Sequence, residues 1–266
     1  MNSFDITEWG KPLQQAVRAQ PQPSGTQVLT KVRYCGVCHS DVHIRDGFFE
    51  LGGGKRFHMT ERGMKLPVTM GHEPYGELIS LGPQAQGLAP VQIGHDYLVY
   101  PWTGCGQCAR CQHEQDNWCM TPRFLGVQSP GGYADYLLVP HPKYLVDASG
   151  IDPQFAPILA CSGLTTYSAV RKLLPCDPHD AIVVMGAGGL GLMAICRPCP
   201  VAFGACWISW AWMPPLSWES PACARAVATW WWACMVASCP CRPFPWPSGP
   251  SRFKALTSDP SLNSRR

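Results

Sequence analysis

Alternating apolar and polar positions mark out the first elements along the chain. Residues 27–37 read QVLTKVRYCGV, are rich in β-branched side chains, and predict a strand. Further strands are predicted over residues 77–81, 97–100, 133–139 and 144–146, separated by Gly and Pro turns. Helical spacing is scarce before residue 150. After it, residues 153–174 mix Ala, Leu and Cys at helical spacing, and Pro175 ends the run. Residues 181–185 (AIVVM) predict a short buried strand that runs straight into GAGGLGLMAI. Residues 47–66, Gly-rich and mixed in charge, are assigned to a loop. The pattern describes a mostly β body over residues 1–150, α+β in class. Residues 151–195 then open a strand–helix unit.

Composition sharpens a boundary that the pattern only suggests. The chain has 266 residues and a formal charge of +3, too little for a nucleic-acid binder, and 46% hydrophobic residues exclude wholesale disorder. Residues 1–195 hold 8 Cys, 3 Trp and every His and Tyr. Residues 196–266 hold 7 Cys, 8 Trp and 11 Pro, with 7 basic residues against only Glu219 and Asp259. Two kinds of sequence are joined near Ile195. The opening MNSFDITEWGKP carries acids and no apolar run, so no secretory signal is expected and the placement expected is cytoplasmic. Thiols stay reduced in that compartment, which makes the body cysteines candidate metal ligands or core residues rather than disulfides.

Cys105-Gly-Gln-Cys108-Ala-Arg-Cys111, closed by Cys119, carries the sharpest chemical signal. Two successive C-x-x-C steps put three thiols on one tight loop, and a fourth returns eight residues later. Tetrahedral Zn²⁺ takes four such soft ligands at about 2.3 Å, with no open position when the role is structural. Buried incidental thiols are the plain alternative. A redox C-x-x-C is disfavoured because the motif does not open a helix after a strand.

A second set is dispersed: GVCHSDVH with Cys38, Ser40, Asp41 and His43, then GHEP with His72 and Glu73, then Cys161 in ACSGL. Cys, His and Cys would give zinc three ligands and leave it the open position that catalysis requires. Taken singly, His72 reads as an ordinary hydrogen-bonded histidine and Cys161 as a small core residue. Gly186, Gly188 and Gly191 follow a predicted strand. Gly186 suits the turn, Gly188 a close approach of backbone to pyrophosphate, and Gly191 close helix packing.

GVCHSDVH, GHEPYGE, the four-cysteine loop, ACSGLTTYSAV and GAGGLGLMA occur in the order found in zinc-dependent alcohol dehydrogenases of the medium-chain dehydrogenase/reductase superfamily, which this chain resembles over about residues 3–195. The resemblance implies a GroES-like catalytic domain followed by a Rossmann domain. It implies catalytic zinc on Cys38, His72 and Cys161, with Glu73 beside the metal, and structural zinc on Cys105, Cys108, Cys111 and Cys119. Ser40 and His43 match the family's proton relay, and Asp41 matches the partner of the histidine ligand. NAD or NADP and a small alcohol or aldehyde substrate come with it, zinc acting as Lewis acid and hydride passing to the nicotinamide. Cys35 and Cys176 match no ligand position and read as apolar filler. Trp102 reads either as a substrate-pocket wall or as packing.

The cofactor domain is expected to be incomplete. A βαβ unit needs about 30 residues, with an acid roughly 20 beyond the glycines. Here the helix meets Pro198, and the next acid is Glu219, amid Trp and Pro. Residues 196–266 are expected to be an irregular, disordered tail produced by a shifted reading frame or an aberrant terminus. Membrane association is the rival for that tail, but Pro200, Pro214 and Pro215 break its longest uncharged stretch. Homo-oligomers of the family pair through the Rossmann sheet, a surface with no counterpart here. The function expected is alcohol dehydrogenase chemistry; the alternative is a catalytically inert zinc-binding fragment.

Overall fold

The computed structural model describes residues 1–173, 181–186, 188–196, 206–209 and 253–256. Two compact units share the chain, Met1–Leu164 and Thr165–Arg266. The first therefore runs past residue 150, because the 3-10 turn Ala156–Ala160 packs its buried Ala156 and Ala160 with Tyr75 and Leu98.

Strands β1 (Asn2–Ile6) and β2 (Gln14–Val17) form a hairpin. β3 (Val28–Gly36) follows, then helix α1 (His39–Asp46) and the pair β4 (Phe48–Gly52) and β5 (Lys55–His58). β6 (Val68–Thr69) joins the first hairpin, and β7 (Glu73–Leu81) and β8 (Asp96–Val99) continue the main sheet. Helix α2 (Ala109–Gln112) lies in the cysteine loop, and β9 (Tyr136–Val139) and β10 (Leu145–Asp147) complete this unit's strands. The main sheet runs β10-β8-β7-β3-β9, antiparallel at every pairing. Its inward positions Val28, Leu78, Val99, Leu137 and Val139 make the principal core, each worth about 1.5–3 kcal/mol when removed from water. A second cluster gathers Ile6, Ile44, Met59, Met64, Val68 and Met70 beneath β1 and α1.

Five strands of this body fall where alternation places them, with small shifts at the ends. Strands β1, β2 and β6 are additional to those predicted, and three further features differ from expectation. Residues 47–66 are not a loop: β4 and β5 pair as a hairpin, and Met59–Arg62 adds a 3-10 turn. Gly52, Gly53 and Gly54, all at positive φ, make the reversal that its composition hid. Helix α1 is unannounced because only Asp41 and Ile44 are buried; its ends hold it instead. The Asp41 carboxylate accepts the Cys38 N–H at 2.9 Å, and left-handed Gly47 returns its N–H to the carbonyls of His43 and Ile44. The helix predicted over residues 153–174 is divided, a 3-10 turn ending at Ala160 and α3 (Ser162–Arg171) beginning after Cys161.

The second unit contains most of α3, β11 (Ala181–Met185), α4 (Gly189–Cys196), β12 (Cys206–Ser209) and β13 (Phe253–Leu256). Its three strands lie parallel in the order β12-β11-β13. Two four-residue pieces of the stretch expected to be irregular are thus strands; CWIS carries the aromatic and β-branched residues that favour pairing. The expectation of disorder for the rest of 196–266 lies outside the described residues. No helix among the described residues is long and apolar enough to cross a membrane.

Candidate metal centres and active site

The β3–β7 pairing assembles the dispersed cluster. Its antiparallel register ends on Gly36 opposite Glu73. The chain leaving β3 therefore delivers Cys38 beside His72, the residue that precedes β7. A Cβ at Gly36 would collide with the Glu73 side chain, so only glycine lets the carboxylate sit there. Gly71, at φ +94°, makes the turn into His72 against the Tyr133 ring. Cys161 arrives from the turn that packs against this sheet, its sulfur 3.9 Å from that of Cys38. One donor atom from each of Cys38, His72, Glu73 and Cys161 lies within 4.8 Å of the others.

Three donor atoms of the set are buried without a partner. His72 Nδ1 meets Asp41 Oδ1 at 2.8 Å, which leaves Nε2 buried without a hydrogen bond; both Glu73 oxygens are equally orphaned. Buried polar atoms without partners cost about 1–3 kcal/mol each, more when charged, so this set fits a cation. The neighbouring Cys161 thiol, with His72, pulls Cys38 down to about 3 against the opposing effect of burial. Burial pushes His72 down, but the Asp41 hydrogen bond and the Cys38 sulfur raise it to about 10. Burial and the Cys38 charge push Glu73 up to about 7. His72 and the Cys161 thiol are both raised and hold protons, which a dication displaces from such ligand sets.

Asp41 is held from its other side as well. Its Oδ2 accepts the Cys38 N–H and the Tyr133 hydroxyl at 3.1 Å. Tyr133 carried no signal in the sequence beyond its place in GGYADY. Burial, then the Asp41 charge, raises its hydroxyl, which keeps it a donor. Ser40 and His43 lie three residues apart on α1, the spacing of one helix face. No hydrogen bond joins them; the His43 ring stacks on His39 at 4.8 Å and tilts against Phe49 at 4.9 Å. Trp102 stands edge-on to Phe124, its ring centre 6.0 Å from that of His72. Cys35, the non-ligand, sits with its sulfur against Gly71 and Gly132, and burial raises its thiol.

The second cluster is local. Cys105, Cys108, Cys111 and Cys119 bring their sulfurs within 4.8 Å of one another, with separations of 4.0 Å for Cys105–Cys111, 3.5 Å for Cys108–Cys111 and 3.8 Å for Cys108–Cys119. Four sulfurs at about 2.3 Å from a tetrahedral ion would stand about 3.8 Å apart, so the loop fits a closed zinc site. All four cysteines are free thiols. Backbone N–H groups, first that of Gln107, pull Cys105 down to about 5, whereas burial raises Cys111 to about 12.

In the second unit the glycines occupy the turn between β11 and α4. Gly186 has φ +97°. Gly188 is exposed with open space where a Cβ would be, and a Cβ on Gly191 would collide with the Gly186 carbonyl. The Thr166 hydroxyl donates to the Leu190 carbonyl at 3.3 Å.

A β domain bearing a closed four-thiol loop and a Cys–His–Cys cluster, with a strand, glycine turn and helix in a second unit, has the architecture of a zinc-type medium-chain dehydrogenase. A family model, the alcohol dehydrogenase GroES-like domain, matches residues 24–149. The chain is 44% identical over 196 residues to the NAD-dependent alcohol dehydrogenase of Sulfurisphaera tokodaii, a match covering 73% of this chain and 54% of that protein. The corresponding enzyme of Saccharolobus solfataricus is 43% identical, with the same coverage. Among solved structures, the cobalt- and zinc-bound thermostable alcohol dehydrogenase from Pyrobaculum aerophilum superposes with a TM-score of 0.60 at 26% identity, covering 73% of this chain and 55% of that one. Residues 24–149 thus carry an alcohol dehydrogenase GroES-like domain, and the body of the chain is similar to NAD-dependent alcohol dehydrogenases over 73% of its length. The chain spans about half the length of the curated relatives it matches.

Proposed function

We propose that the chain carries the catalytic half of a zinc-dependent oxidoreductase of the alcohol dehydrogenase type, transferring hydride between a small alcohol and NAD or NADP. The observation that carries this reading is the buried Cys38–His72–Glu73–Cys161 set, with His72 Nε2 and the Glu73 carboxylate unpartnered. Cys38, His72 and Cys161 are the ligands in this reading, and Glu73 stands by as a fourth. Zinc bound there supplies Lewis acidity, which eases loss of the proton from an alcohol hydroxyl. Asp41 holds the His72 ring through Nδ1, which turns Nε2 toward the site as the atom that would meet the ion. Ser40 Oγ takes the alcohol proton and passes it toward the His43 ring and solvent.

Cys105, Cys108, Cys111 and Cys119 hold a structural zinc. The first unit, through Leu164, makes the catalytic domain, and residues 165–195 the start of the cofactor domain, where Gly186, Gly188 and Gly191 receive the dinucleotide phosphates. The reduced thiols suit the cytoplasm.

Zinc content, measured beside a titration with NADH and NADPH and an alcohol-dependent reduction assay, tests the reading. Two zinc equivalents, saturable nucleotide binding and alcohol-dependent reduction are expected. Zinc without nucleotide binding would instead make the chain an inert metal-binding fragment.

A further inference from the structure

Asp116 lies between Cys111 and Cys119 and is buried, yet no zinc-ligand pattern uses it. Its carboxylate accepts the Tyr144 hydroxyl at 2.7 Å and the Lys143 ammonium at 3.2 and 3.0 Å. The Tyr144 oxygen in turn accepts the N–H of Gly104, the residue before Cys105, at 3.3 Å. The Asp116 backbone carbonyl accepts the N–H of Cys119 at 3.1 Å. The space a Cβ would take on Gly104 is filled by the Cys111 sulfur and the Asp116 carboxylate, the latter oxygen 2.8 Å from that point. One residue thus touches the surroundings of three of the four cysteines, Cys105 and Cys111 through its side chain and Cys119 through its backbone carbonyl. It ties them to Lys143 and Tyr144, where the chain enters β10.

We propose that Asp116, Tyr144 and Lys143 form a positioning assembly that holds the four-cysteine loop in its metal-binding arrangement and slows release of the ion. The inference rests on reading that loop as a metal site. Four thiolates around a dication leave two net negative charges. A bare carboxylate beside them would be repelled, and Lys143 is the cation that lets Asp116 remain. Tyr144 contributes direction: one hydroxyl faces both the start of the loop and the carboxylate near its end. None of the three is a ligand.

The test uses the full chain loaded with zinc, and a parallel preparation loaded with cobalt. Asp116→Asn and Tyr144→Phe keep the shapes of the side chains, and Lys143→Met removes the ammonium and its hydrogen bonds to Asp116 while keeping an unbranched stem. Release to a chromogenic chelator is followed as two phases. For each variant, one of the two metal equivalents is expected to leave about tenfold faster or more, the scale on which outer partners alter metal affinity. The other equivalent keeps the wild-type rate. The thiolate-to-cobalt charge-transfer bands of the faster site shift with it. Unchanged release beside a lowered unfolding midpoint overturns the assignment, as does equal acceleration of both phases. If Asp116→Asn does not fold, the other two variants decide by the same criteria. A wild-type chain whose cobalt form shows no four-thiolate charge-transfer bands overturns the reading of the loop and this inference together.

Discussion

The Asp41 carboxylate shows how much one side chain can decide at the residue scale. Oδ1 takes the His72 ring, while Oδ2 takes the Cys38 N–H and the Tyr133 hydroxyl. In Asp41→Asn the amide can offer an oxygen to only one of these directions, and its NH₂ must then face a donor. Metal affinity at the Cys38–His72–Cys161 site is expected to fall about 10–100-fold, read by competition with a chelator of known affinity. The four-cysteine loop of the same molecules should keep its metal, which serves as the internal control. Asp41 was legible as a candidate because it stands inside CHSDVH; its second anchor, Tyr133, was not. Ninety-two residues separate the two, and no local pattern reports a hydrogen bond across that distance.

At the scale of elements, α1 exists because of its ends rather than its faces. Gly47 closes it at φ +87°, and an added Cβ there would lie 2.9 Å from the Trp9 ring. Gly47→Ala meets the left-handed backbone cost of about 1–2 kcal/mol and must also displace the indole. The expected result is a loss of at least that size in urea unfolding, with the m-value unchanged. Ser40 and His43 ride on this helix, so its distortion should be visible in the ring contacts of His43 before anything else. Periodicity missed α1 for the same reason, since two buried positions in eight residues make no stripe. It missed β1 and β2 on a related ground. Ser3 and Asp5 are polar yet fully buried, satisfied by Arg18 and Thr69, so alternation of apolar side chains is interrupted where the strand turns inward.

Across the whole molecule, two sources of stability should separate by their response to solution conditions. Burial pushes the Asp5 carboxyl up, but Arg18, Thr69 and Ser3 together hold it below its usual value. A depressed carboxyl contributes stability that is present above its unfolded value of about 4 and is lost as pH falls through the folded value. The contribution is reduced because Arg18 is 42% exposed. Unfolding midpoints should therefore decline below about pH 4, and Asp5→Asn should flatten that limb while lowering stability near neutrality. Chelation of the metal acts by another route. Structural zinc sites in small peptides contribute about 10–16 kcal/mol of folding free energy, so stripping both ions is expected to lower the thermal midpoint at neutral pH, with recovery when zinc is restored.

Sequence alone determined the elements whose physics is local. Four cysteines within fifteen positions must share a loop, AIVVM must extend, and glycines after it must turn, because neighbours along the chain are neighbours in space. Motif order was enough to indicate the family of the body. Tertiary structure decided what joins distant residues. Cys38 meets Cys161 across 123 positions only because the β3–β7 register ends at Gly36 opposite Glu73 and a 3-10 turn packs on that sheet. The orphaned Nε2 of His72 and the brace from Asp116 to Tyr144 likewise depend on burial and direction, which residue spacing does not carry.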